Sequence, residues 1–117
     1  MPEKFSSSVE VRFIDHAQVI RDLRQAVAEA KSRCPEILKV YLFGSLVQGT
    51  WTADSDADLM VVVRREFAGD HLERGGYHIR VKSIPTDTLV YTEAEFAALA
   101  NDRESFLARN LTSALEL

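Results

Sequence analysis

The run Leu59-Met60-Val61-Val62-Val63 leaves this chain little choice of architecture. It has no polar member to turn towards water. It therefore reads as a strand covered on both faces, within a sheet that carries layers above and below. Directly before it stand Asp56-Ala57-Asp58. A solvated loop has no need to place carboxylates at the mouth of a core strand, and acidic side chains are seldom drawn towards a core without a partner.

Helical and extended signals alternate around that strand. Between about Asp15 and Ser32, the apolar residues Val19, Ile20, Leu23, Val27 and Ala30 recur near helical spacing. Asp15 is placed to cap this helix, and Pro35 stops it before Cys34. Ile37 to Phe43 is rich in β-formers and ends at Gly44, where a tight turn leads into a short helical stretch from Ser45 to Gly49. Gly75-Gly76 marks a turn before a third strand over about Tyr77 to Ser83, and a fourth runs over about Asp87 to Tyr91. Thr92-Glu93-Ala94-Glu95 has the form of a capping box and opens a helix to about Ala100. A last helix is expected from about Arg103 to Leu115, with Phe106, Leu107, Leu111 and Leu115 as its stripe. This order predicts an α/β (α+β) domain over residues 15–117, a mixed sheet of about four strands flanked by helices, behind a flexible lead at 1–14.

Composition narrows the function classes. Fourteen basic residues against 18 acidic ones, a formal charge of −4, argue against a protein that grips extended nucleic acid by overall charge. The single cysteine, Cys34, cannot form an internal disulfide and reads as a small packing residue. No apolar run approaches a membrane span, and Met1 to Ser8 lacks the apolar stretch of a signal peptide. A cytoplasmic protein with no membrane partner is the expectation.

The chemistry concentrates between Tyr41 and Val63, in YLFGSLVQGTWTADSDADLMVVV. A glycine at a strand-to-helix turn lets the backbone approach a ligand closely, and the amides that follow suit a phosphate. Ser45 adds a hydroxyl donor. Asp56 and Asp58 are two apart, so in an extended segment they leave on the same side. Converging carboxylates call for a cation, and hard oxygen donors of this kind suit Mg2+, which shares its shell with substrate phosphates. Phosphate turn and acidic pair together are the minimum equipment for phosphoryl or nucleotidyl transfer.

Rival motifs fail on particular residues. Asp54, Asp56 and Asp58 mimic the start of an EF-hand loop, but Leu59 occupies the position of its glycine and Arg65 that of its final glutamate. Gly44 and Gly49 have the glycine spacing of a P-loop, but Thr50 stands in place of the lysine. A nucleophilic Ser45 would need a base beside it, and His16, His71 and His78 are scattered, each with a surface or structural role expected.

With Gly44-Ser45, a spacer of ten residues and then Asp56-Ala57-Asp58, the chain resembles the nucleotidyltransferase superfamily of the DNA polymerase β type. Over about residues 15–115 it is similar to the minimal nucleotidyltransferases of bacteria and archaea, often the antitoxin partners of HEPN-domain toxins. The resemblance implies a third carboxylate on a later strand, matched by Asp87 in Ile84-Pro85-Thr86-Asp87-Thr88-Leu89-Val90-Tyr91. It implies that Asp56, Asp58 and Asp87 are catalytic and hold Mg2+, two ions when substrate is bound, and that Gly44 and Ser45 hold the nucleotide's β- and γ-phosphates. The implied reaction moves AMP from ATP, or another nucleoside monophosphate from its triphosphate, to an acceptor hydroxyl. Arg64, Arg65, Arg80 and Lys82 are the cations available to neutralise developing charge. Where relatives often read Gly-Ser-x-Ala-Arg-Gly, Gln48 replaces the arginine and brings no charge. Leu46, at a position polar in many relatives, is expected to face a partner.

Larger relatives carry an extra domain that walls the acceptor pocket, for which this sequence has no room. Either a second subunit supplies that wall, or the pocket is open and the acceptor is itself a protein; a partner is expected in both cases, a HEPN-domain protein modified on a hydroxyl or a second copy of the chain. Two alternatives remain at this level: a module that neutralises a toxin by contact alone, and a small-molecule enzyme of the aminoglycoside-nucleotidyltransferase type.

Overall fold

The computed structural model describes residues 14–68 and 71–117. The first helix, α1, spans His16–Arg33. The Asp15 side chain caps it by accepting the Gln18 amide at 3.1 Å. Its buried stripe is Val19, Leu23, Val27 and Ala30, as the periodicity predicts. Cys34 closes the helix, half-buried against the core. Strand β1 (Ile37–Phe43) leads through Gly44 into the single-turn helix α2 (Ser45–Gln48), and β2 covers Ala57–Val63. Then come α3 (His71–Gly75), β3 (Thr86–Thr92), α4 (Glu93–Ala100), α5 (Phe106–Leu111) and β4 (Leu115–Glu116).

The four strands form one mixed sheet in the order β3-β2-β1-β4. β1 runs antiparallel to β2 and β4, while β2 and β3 run parallel. Strand periodicity then sorts every side chain onto one of two faces. Val40 and Leu42 of β1, Ala57, Leu59, Val61 and Val63 of β2, and Val90 of β3 meet α1, Leu46 and the segment Tyr77–Ile84. Tyr41 and Phe43, Met60, and Leu89 and Tyr91 face the other way and pack under α4 and α5, with Leu107 fully buried among them. The run at 59–63 is therefore covered on both sides, which is why its sequence never alternates.

Two expectations for this region are corrected. Tyr77–Ser83 is not a strand. Its alternation is real, because Tyr77 and Ile79 are buried and Val81 packs against the same core. But a parallel β2–β3 pair needs a crossover rather than a hairpin, and residues 64–85 are spent on it. The segment meets β3 through side chains instead of a ladder: Thr88 Oγ1 accepts the Ile79 amide at 3.4 Å, and Thr86 Oγ1 donates to the Ile79 carbonyl at 2.5 Å. The fourth strand of the sheet is β4, inside the stretch expected to be helical from Arg103 to Leu115. Ser105 caps α5 by accepting the Ala108 amide, and the chain leaves the helix after Leu111 to pair Leu115 with Leu42. The predicted lead at 1–14 lies outside the described residues apart from Ile14, which packs against the core.

The crossover is clamped by a residue the sequence did not single out. Arg74 reaches Glu95 with two parallel bonds of 2.8 Å and donates to the Val90 carbonyl at 2.8 Å. Glu95 also accepts the Thr92 amide at 2.9 Å, and Thr92 Oγ1 accepts the Glu95 amide at 3.0 Å, completing the expected capping box. The Arg74 guanidinium, and then the backbone amide, hold the Glu95 carboxyl down to about 2 from an ordinary 4.5. A lowered carboxyl stabilises the fold above its unfolded value, and that contribution is lost as pH falls from 4.5 towards 2. Because the Glu95 side chain is 42% exposed, screening limits the contribution to roughly 1 kcal/mol. Glu95→Gln is expected to cost about that much at pH 7, with the difference from wild type closing below pH 4.5. Urea melts across this range measure it.

Candidate active site

The acids are assembled by the register of the sheet. Phe43 of β1 is the direct partner of Asp58, and Asp58 is the direct partner of Asp87 on β3. All three belong to the alternation that faces α4 and α5, so they form one row across three strands, next to the row Tyr41-Met60-Leu89, of which Met60 is fully buried and the other two partly so. Asp56 lies just before β2, exposed, and Asp87 is also exposed, whereas Asp58 is half-buried. Burial pushes the Asp58 carboxyl above its ordinary range, and the negative charges of Asp87 and Asp56 push it the same way. The three predicted acids therefore share one electrostatic environment.

Gly44 closes the site from the β1 side. Its backbone (φ 82°, ψ −152°) lies in a region essentially reserved for glycine. A β-carbon built there would overlap Asp58 Oδ2. Position 44 is glycine both to make the turn and to leave room for the carboxylate. The turn predicted at Gly44-Ser45 is thus directly beside the acids, and Ser45 is the first residue of α2.

Helix α2 is too short to hold itself, and its glycine N-cap supplies no side-chain bond. Its ties come from elsewhere. Leu46 is buried in the core under α1, which overturns the expectation that it faces a partner: its apolar side chain anchors the turn. The Leu46 carbonyl accepts a bond from His16 Nε2 at 2.8 Å. The Gly49 and Thr50 amides both return to the Ser45 carbonyl, at 3.0 and 3.1 Å. Trp51 then stacks on His16 with ring centroids 4.4 Å apart. His16 thus has the structural role expected of it, but nothing in the sequence linked it to Trp51 or to the loop. Gln48 is exposed at the end of α2.

The four basic candidates lie elsewhere. Arg64 and Arg65 follow the far end of β2, six residues past Asp58 and so roughly 20 Å away along the strand. Arg64 pairs with Glu93 at 3.8 Å. Arg65 donates to the Tyr77 hydroxyl at 3.0 Å and to Glu73 at 3.3 Å, and Tyr77 in turn donates to Glu36 at 2.6 Å. This network pins the crossover to the start of β1. Arg80 and Lys82 line a cleft of about 420 Å³ against Asp22 and Glu29 of α1, on the opposite face of the sheet from the acids. None of these cations is placed to neutralise charge at Asp58.

No group of three His, Cys, Asp or Glu side chains stands close enough to hold a metal ion among the described residues. The donor chemistry still fits Mg2+. That ion takes one or two protein carboxylates and completes its shell with water and substrate phosphate. Asp58, strained by two like charges, is the group that such an ion relieves.

The structure thus sets a glycine turn against register-paired carboxylates at one end of a mixed sheet. The nucleotidyltransferase domain model matches residues 20–111, and the chain belongs to that family. Its fold is similar to the crystal structure, at 1.40 Å, of a candidate nucleotidyltransferase from Sulfolobus solfataricus. The TM-score is 0.60 over 86% of this chain and 80% of that one, at 21% identity, a likeness of fold alone. No curated protein matches the sequence. No helix among the described residues is long and apolar enough to cross a membrane.

Proposed function

We propose that this nucleotidyltransferase domain moves a nucleoside monophosphate, AMP from ATP in the first instance, to an acceptor hydroxyl, with Asp56, Asp58 and Asp87 each giving Mg2+ one carboxylate of the one or two that an ion takes beside water and substrate phosphate. The observation that carries the reading is the register Phe43–Asp58–Asp87, with Gly44 kept bare against the Asp58 carboxylate. Gly44 and Ser45 hold the β- and γ-phosphates. The acceptor oxygen attacks the α-phosphorus, the bond from that phosphorus to the β-bridging oxygen breaks, and pyrophosphate leaves with the electron pair. Asp87, the more exposed of the two partnered acids, takes the acceptor's proton. Magnesium, when bound, supplies neutralisation of charge on the phosphate oxygens and eases ionisation of the acceptor hydroxyl. The chain contributes mainly positioning and a fixed electrostatic environment.

The acceptor is proposed to be a hydroxyl on a partner protein of the HEPN type, with this chain as its antitoxin in the cytoplasm; a second copy of the chain is the other partner to test. The exposed, uncharged Gln48 favours a second reading, neutralisation of that partner by contact alone. Incubation of the purified pair with α-labelled ATP and Mg2+ or Mn2+ separates the two. Label on the partner, lost in Asp87→Asn by at least about a hundredfold, supports transfer. Inhibition of the partner without label supports contact.

A further inference from the structure

We propose that Phe106, backed by Phe43, is the surface on which the base of the nucleotide stacks; this rests on the nucleotide-transfer reading above. Phe106 is one of the exposed large apolar side chains of the described residues, at 49% exposure. Its place is fixed from both sides. Leu107, the next residue, is fully buried. Ser105 caps the helix and donates to the Leu99 carbonyl at 2.7 Å. The Phe106 ring stands edge-on to Phe43, centroids 5.7 Å apart at 81°.

Phe43 connects that ring to the acids, because it is the register partner of Asp58 and points to the same face. The row Tyr41-Met60-Leu89 behind it is covered by α4 and α5. Phe106 is therefore the edge of the helical layer where the acid row begins. A substrate seated on Asp58 and Asp87 abuts it. The charged phosphates of a nucleotide gain nothing from an exposed phenyl ring. The base has an aromatic face, and base–aromatic stacking tolerates any base. Trp51, also exposed among the described residues, is stacked on His16 of α1, the helix that covers the opposite face of the sheet.

The test compares Mg·ATP with Mg·tripolyphosphate, which has the phosphates and no base, by calorimetric titration of the whole chain. Phe106→Ala and Phe106→Leu are each expected to weaken ATP about tenfold while tripolyphosphate binds as to wild type. The leucine keeps apolar bulk on Phe43, so its melting temperature should stay near wild type. Phe106→Trp in a Trp51→Phe background should retain ATP binding, and its emission should be quenched by ATP and not by tripolyphosphate. ATP affinity unchanged in both variants overturns the proposal and leaves the nucleotide reading standing. Equal losses for both ligands also overturn it, making Phe106 a support of the phosphate site. If wild type binds neither ligand, the proposal and the reading beneath it fall together.

Discussion

Asp56→Asn with Asp58→Asn is expected to abolish Mg2+-dependent ATP binding and at the same time raise the melting temperature. The first effect should exceed about a hundredfold, because changes to groups that merely orient metal ligands already cost 10–100-fold. The second follows from the environment of Asp58. Burial, Asp87 and Asp56 all raise its carboxyl above the ordinary 3.8. The native state therefore holds the proton to a higher pH than the unfolded chain. Stability tied to that proton is fully present below pH 3.8 and is lost as pH rises through the folded value. Once pH has risen through the folded value the wild type carries the penalty of an ionised Asp58, and asparagine removes it with almost no change in volume. Relief of unfavourable charge is commonly worth about 1 kcal/mol, or about 4 °C in a domain of this size. The gain over wild type should vanish below pH 3.8. Thermal melts from pH 3 to 8 and calorimetry with ATP read the two effects. A variant that binds nothing and is also less stable would make these acids props of the fold.

The parts of the molecule legible in the sequence were those where one signal had one structural meaning. Ile37–Phe43 was bounded by Pro35 and Gly44, and the run at 59–63 could only be a doubly covered strand; β1 and β2 follow those limits, β2 starting two residues early at Ala57. Asp15, Thr92 and Gly49 punctuate helices where local chemistry says they should. Where one pattern had two meanings, the sequence misled. Tyr77, Ile79 and Val81 alternate because alternate side chains enter the core, and an irregular extended crossover does that as well as a strand. Leu115 fits a helical stripe, yet it completes the sheet beside Leu42. Choosing between these needs the strand order, which no local window contains.

The site divides in the same way. Asp56 and Asp58 announce themselves because they precede a core strand, and Asp87 enters through resemblance together with its place before a second apolar run. Their meeting depends on parallel pairing of β2 and β3 in one particular register, which is a property of the whole sheet. The apolar character of Leu46 answers the need of a one-turn helix for an anchor, which a comparison with polar residues at the same place in relatives does not show. The remoteness of Arg64 and Arg65 follows from strand length: residues that flank one apolar run lie at opposite ends of it. His16 and Trp51 acquire their roles from neighbours distant in the chain, and Phe106, expected in the apolar stripe of the last helix, stands exposed at its start while Leu107 takes the buried place.

Gly44→Ala should separate the steric part of the site from its charge. Two costs coincide there. The backbone at φ 82° and ψ −152° is strained for any residue with a side chain, by about 1–3 kcal/mol. The new β-carbon would also meet Asp58 Oδ2, so the carboxylate must swing away or the turn must open. The variant should lose about 3 kcal/mol, about 12 °C of melting temperature, and its metal-dependent nucleotide binding should fall with the displaced acid. Gly49→Ala is the internal control. That glycine has the same positive φ, in the left-handed helical region, but open space where its β-carbon would go. It should cost only about 1 kcal/mol and leave binding intact. Combining Gly44→Ala with Asp58→Ala removes the overlapping oxygen, so the double variant should be more stable than the two single losses added together, by about 0.5–3 kcal/mol. Urea denaturation of the four proteins gives that coupling. Strict additivity would mean that the turn and the carboxylate do not touch, and the glycine beside Asp58 would then serve the chain's direction alone.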